Sequence, residues 1–133
     1  MTKYAVDYKL SVPMGGVRLT GGRFGRAFEN NLSFLKGFDP DRMLYWFRAH
    51  AGRPAPGVPY AAGDGHFENN LHGQTVGEFL MGAGTSLWWR EDAELRAQVR
   101  ALISELAEYQ QPDGYLLPVD RETFKTKEYP NYT

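Results

Sequence analysis

Cysteine is absent from this chain of 133 residues. That absence alone removes a disulfide framework, a thiolate zinc site and a cysteine nucleophile from what the chain can do by itself. Excess charge is missing too. Fifteen basic and 16 acidic residues leave a formal net charge of −1, which gives neither nucleic acid nor an anionic membrane surface an electrostatic hold. No apolar run approaches the ~18 residues of a membrane-spanning helix, and the opening MTKYAVDYKL is too polar for a secretory leader. The expectation is a cytoplasmic protein with no membrane and no nucleic acid among its partners. A Gly-x-Ser-x-Gly elbow is lacking, and the Gly-Gly pairs at 15–16 and 21–22 follow neither the P-loop nor the dinucleotide pattern.

What the chain has in excess is aromatic side chains: 8 Tyr, 8 Phe and 3 Trp. Such residues fill cores, and they also serve as platforms for sugar rings and anchors at interfaces. The length suits one domain spanning 1–133, able to bury a real core. Residues 8–20 read as a short N-terminal β segment interrupted by Pro13 and the first glycine pair. From there the pattern is helical. Phe24, Ala27, Phe28, Leu32 and Leu35 recur at helical spacing over 22–36. Asp39 and Pro40 open a second helix over 40–51, with Met43, Leu44, Phe47 and Ala51 inward and Gly52 at its end. A third over 73–89 faces Val76, Phe79, Leu80, Ala83 and Leu87 inward. Its Gly73, Gly77 and Gly84 suggest close approach by another element or by a ligand, since glycine weakens a helix interior. The fourth, 91–110, has the stripe Leu95, Val99, Leu102, Ile103 and Leu106 and early acids that suit a helix start. Pro112-Asp113-Gly114 stops it, and the tail beyond has only weak helical signal.

Chemistry concentrates around one loop and the helix after it. Residues 52–70 hold three prolines and four glycines, and a loop of this length in a small domain tends to be functional or disordered. It delivers Asp64, His66 and Glu68 to the segment LHGQTVGEFL, where His72 precedes a helix and Gln74 and Glu78 share one of its faces. A group of this kind can hold sugar hydroxyls, or one carboxyl of a hydrolytic pair. The plainer reading has His72 and Gln74 capping the helix and Glu78 facing water. A metal site is not expected, because the histidine spacing matches no known ligand pattern. Asp113 and Tyr115, in QQPDGYL, form the second candidate, against the plainer reading of a helix stop with Tyr115 folded onto apolar surface.

Four stretches in order resemble one family. GGVRLTGGRFGRAFENNLSFLKGFDPDRMLYWFRAHAG is similar to the opening of glycoside hydrolase family 127, the β-L-arabinofuranosidases, whose members carry a "V-R-L-T-D-G-F-W" strand, a helix and "D-P-D-R-L-L-x-x-F-R". The family helix motif "L-R-G-H-x-x-G-H-Y-L" resembles Leu71–Leu80, and "E-L-x-x-x-Q-x-x-D-G-Y-L" resembles Glu105–Leu116. The resemblance spans about residues 10–120. It implies a mainly α fold of helix hairpins of the (α/α)6-barrel type, incomplete in this chain, around a saccharide ligand. The loops after 60 and after 110 would lie at the pocket mouth. The two motif histidines of the family fall on Gln74 and Glu78, so Gln74 is implied as a sugar-binding amide, in a substrate-binding set with His66, His72, Glu78, Asp113 and Tyr115.

The resemblance also implies a cysteine nucleophile held by zinc, and an acid/base glutamate, in residues downstream of this chain; no cofactor is expected within it. Glycosidases place two carboxyl groups roughly 5–5.5 or 6.5–9.5 Å apart across the scissile bond. Glu78 with Asp64 or Glu68 is the pair this sequence offers. The expectation is an N-terminal portion that supplies one wall of a sugar pocket, completed by a C-terminal portion or by self-association. The alternative is a non-catalytic helical module that binds carbohydrate or a protein partner through exposed aromatics. A helical-barrel uronyl hydrolase or lyase is a third, weaker option, since those folds also end helices with a "DGY"-like turn.

Overall fold

The computed structural model describes residues 18–60 and 72–126. The expected β segment lies outside these residues except at 18–20, where no strand forms. The described chain is mainly α: α1 (Gly22–Lys36), α2 (Pro40–His50), α3 (Gln74–Trp89), α4 (Ala93–Tyr109) and a short α5 (Arg121–Thr126) in the tail.

Local chemistry sets the boundaries. Asp39 accepts from the Asp41 N–H at 2.9 Å and Pro40 takes the first helical position of α2. Asp92 does the same for α4 through the Leu95 N–H at 2.9 Å, a bond that holds its carboxyl below the usual range. Lys36, at the end of α1, reaches Asp92 at 3.3 Å and Glu94 at 3.0 Å. There the positive end of α4 and the negative end of α1 each meet charge of the favourable sign.

Four helices share one core. Leu32 and Leu35 of α1, Met43, Leu44 and Phe47 of α2, Val76, Phe79 and Ala83 of α3, and Leu95, Leu102 and Leu106 of α4 are all buried. Each large member contributes about 1.5–3 kcal/mol by leaving water. The α3–α4 hairpin is the platform. α1 and α2 each pack on both of its helices, with no close backbone approach to each other. The bend between them is pinned by Phe38, whose ring meets Phe34, Tyr60 and Phe79 and whose carbonyl accepts from Gln98 at 2.7 Å. Arg48 fixes α2 to α4 with a forked bond to Glu105, Nε to Oε1 at 2.5 Å and Nη2 to Oε2 at 2.9 Å.

Some expected inner residues are outside. Phe24 is 74% exposed and Ile103 53%, and Ala51 is exposed beyond the end of α2. Close approach by another element is found at one of the three glycines. Gly73 meets close neighbours, whereas a Cβ on Gly77 or Gly84 would find open space among the described residues. No described helix is long and apolar enough to cross a membrane.

Candidate functional site

The start of α3 is where distant parts of the chain converge. Gly73 has φ +90°, in the left-handed region, and stands at the helix entrance without any side-chain cap. A Cβ there would lie 3.2 Å from Phe47 Cζ and 3.2 Å from Pro118 Cγ. Glycine is therefore required twice over, by backbone conformation and by space. This close approach brings α2, the first turn of α3 and the segment after α4 to one point.

His72 sits at that point. Its ring stacks on Trp46, with centroids 3.9 Å apart and planes 11° from parallel. Nδ1 lies 3.3 Å from the Pro118 carbonyl oxygen. A carbonyl only accepts, so Nδ1 carries the proton and Nε2 is left as a bare acceptor. Burial pushes the His72 pKa down, against the pull of the Pro118 carbonyl, and His50 lowers it further. The ring is therefore neutral at pH 7. Its Nε2 is buried with no hydrogen-bond partner among the described residues.

Gln74 is the first residue of α3. Its Nε2 donates to Glu78 Oε1 at 2.8 Å, one helical turn on. A carboxylate can only accept, so the amide is held with nitrogen toward Glu78 and oxygen away from it. Gln74 Oε1 is also buried and unpartnered among the described residues. Neither His72 nor Gln74 caps the helix. Glu78 is exposed, as the plainer reading has it.

The remaining candidates divide. Asp64, His66 and Glu68 lie outside the described residues. Asp113 accepts from the Tyr115 N–H at 3.2 Å and pairs with Arg121; that N–H, then the Arg121 guanidinium, hold its carboxyl below the ordinary range against some burial. The Tyr115 hydroxyl donates to the Val119 carbonyl at 2.7 Å, and Arg121 lies over its ring at 4.4 Å. Both side chains brace the turn after α4. Tyr115 also lines a cleft of about 350 Å³, together with Phe47, His50, Arg53, Glu108 and Tyr109. The cleft adjoins the His72 corner, since Phe47 touches Gly73 and His50 acts on the His72 charge. A larger cleft, about 460 Å³, lies at the other end of α3 between Phe28 and Trp88, and none of His72, Gln74, Glu78, Asp113 and Tyr115 lines it.

Trp46, His50 and Pro118 were missed by sequence reasoning. Trp46 stands beside the expected inner face of α2, and the aromatic excess was its one signal. Pro118 takes part through its backbone, which no side-chain pattern reveals.

A family model of the β-L-arabinofuranosidase GH127 catalytic domain matches residues 16–133. The chain belongs to that family. Comparison with curated proteins gives no match, and comparison with solved structures gives none. Membership makes the chain carbohydrate-active and glycoside hydrolase-like, and it gives the α3 entrance a chemical context. The zinc-held thiolate implied by the family resemblance does not fit the residues present. The chain has no cysteine, and no three of His, Cys, Asp or Glu gather as a metal site among the described residues.

Proposed function

We propose that this chain forms one wall of the saccharide site of a β-L-arabinofuranosidase-type glycoside hydrolase, with α1–α4 as hairpins of an (α/α)6 barrel. The family match over residues 16–133 carries the reading. Its geometric support is the α3 entrance, where Trp46, His72, Gln74 and Glu78 put an aromatic face beside polar groups in the manner of sugar sites. The role assigned to these residues is binding and orientation. Glu78 is the described carboxylate of the proposed catalytic pair, and Asp64 and Glu68 are its candidate partners. The ligand is a saccharide, and the near-zero net charge argues against nucleic acid or an anionic membrane as partner. A C-terminal portion or a second copy would complete the ring.

The test is hydrolysis of aryl β-L-arabinofuranosides, by the chain alone and by any longer product of the same gene. Calorimetric titration with methyl β-L-arabinofuranoside runs in parallel. Turnover or saturable binding is expected. Absence of both would overturn the reading.

A second reading, a non-catalytic helical module, is favoured by one observation: Phe24, Met81 and Trp88 are 74%, 70% and 66% exposed. Large exposed apolar groups mark interfaces when they are contiguous. Light scattering across concentration separates the two, because a monomer at high concentration argues against an unclosed barrel and for a self-contained bundle.

A further inference from the structure

α3 differs from the other long helices in what it shows to water. Its residues carry one charge, Glu78, whereas α1, α2 and α4 each carry several. The exposed side reads Gly77, Glu78, Met81, Gly84, Thr85 and Trp88, a single stripe at three- and four-residue spacing. Met81 and Trp88 are 70% and 66% exposed, while a Cβ on Gly77 or Gly84 would find open space among the described residues. Two large apolar knobs therefore alternate with two bare stretches of backbone. The polar members are answered from within the helix. The Thr85 hydroxyl donates to the Met81 carbonyl at 2.8 Å, and Glu78 accepts from Gln74 at 2.8 Å, so covering the stripe leaves no hydroxyl unpaired.

We infer that a second copy of the chain docks on this stripe, α3 against α3 and antiparallel. Positions 77, 81, 84 and 88 read the same from either end, by steps of four, three and four. In an antiparallel pair, Trp88 of each copy stands opposite Gly77 of the other, and Met81 stands opposite Gly84. Each knob then enters a gap over bare backbone, as side chains of one helix enter the grooves of its neighbour. A parallel pair would set tryptophan on tryptophan and leave voids at the glycines, which close packing disfavours. The stripe supplies both halves of the fit, and this selects a second copy over an unrelated helix. The two Glu78 carboxylates sit toward opposite ends of the pair, so like charges do not face each other. One helix face per copy is a small contact, below the ~1,200 Å² at the low end of stable interfaces. The dimer should therefore dissociate at about 10–100 µM. Nothing in this pairing depends on the saccharide reading.

Sedimentation of the full chain from about 5 µM to about 1 mM should show the dimer form as concentration rises. Trp88→Ala and Gly77→Leu are each expected to weaken association about tenfold or more. Gly77→Leu meets open space within its own chain and replaces glycine with a better helix former. Its melting temperature should not fall, so loss of the dimer in this variant is not loss of the fold. The chain has no cysteine, which allows single cysteines to report the register. Under oxidation, an equal mixture of Met81→Cys and Gly84→Cys chains is expected to form the mixed disulfide faster than either chain links to itself. A chain that stays monomeric through the whole range would overturn the inference and leave the stripe to a different partner. A dimer untouched by Gly77→Leu, or self-linking of Met81→Cys that outpaces mixed linking, would overturn it as well.

Discussion

The imidazole of His72 lies flat on the indole of Trp46, at 3.9 Å between centroids and 11° between planes. The two residues come from different helical neighbourhoods, and their stack fixes where α3 begins relative to α2. Trp46→Ala is expected to cost about 2 kcal/mol, roughly half of what a fully buried tryptophan costs. The variant should also let water reach His72. Its pKa, followed by NMR titration, should rise toward the ordinary value of about 6.5. An unchanged value would mean that the stack does not shield the ring.

Acid should weaken the fold through this same ring. Burial holds the folded His72 pKa below that of the unfolded chain. Above about pH 6.5 the ring is neutral in both states and has no effect on the pH dependence. Below that, the unfolded chain binds the proton first, so stability falls as the pH drops until the folded ring is protonated as well. The slope from this one site is at most about 1.4 kcal/mol per pH unit. Melting temperatures between pH 7 and 5 should therefore fall more steeply for the unmodified chain than for His72→Asn, with His50 retained in both. Parallel slopes would contradict the assignment.

The glycines of the third helix should respond in opposite directions. Gly73→Ala forces a side chain into left-handed backbone and against Phe47 and Pro118, for an expected loss of about 2 kcal/mol. Gly77→Ala and Gly84→Ala meet open space in a helix interior and should each add about 0.5–1 kcal/mol. Urea denaturation midpoints decide. A Gly77→Ala variant less stable than its parent would show that something covers that face.

Arg48 should resist conservative replacement. Its side chain is 13% exposed and bridges Glu105 and Asp41, while Glu105 also accepts from the Tyr109 hydroxyl at 2.6 Å. The Arg48 guanidinium, more than the tyrosine, holds the Glu105 carboxyl below its ordinary range. Arg48→Met is expected to cost about 2 kcal/mol, because it strands a partly buried carboxylate. Arg48→Lys should recover only part of this, since an ammonium cannot reproduce the fork. Full recovery by lysine in urea denaturation would mean that charge alone matters.

What could be read from the sequence was local. Asp39-Pro40 marks a helix start because a cap needs only its own next turn, and that start is found where expected, whereas α4 begins at Ala93 and not 91, with Asp92 as its cap and not inside its first turn. The facing of Gln74 and Glu78 was legible for the same reason, as it follows from a four-residue spacing. The inward faces were read correctly at Leu44, Phe79 and Leu102 and too broadly at Phe24 and Ile103, since periodicity gives a stripe and not its width. The aromatic wall and the tautomer of His72 could not be read. They depend on Trp46 and Pro118, 26 and 46 residues away in the chain, and only folding makes them neighbours.

α1 and α2 rest on the α3–α4 hairpin with no close backbone approach to one another. Neither can keep its amides shielded from deuterium once that support opens, so exchange in the two should slow and quicken in step. A change that loosens the Gln74 end of α3 would then be felt as far as Glu29 and Arg90 at its opposite tip.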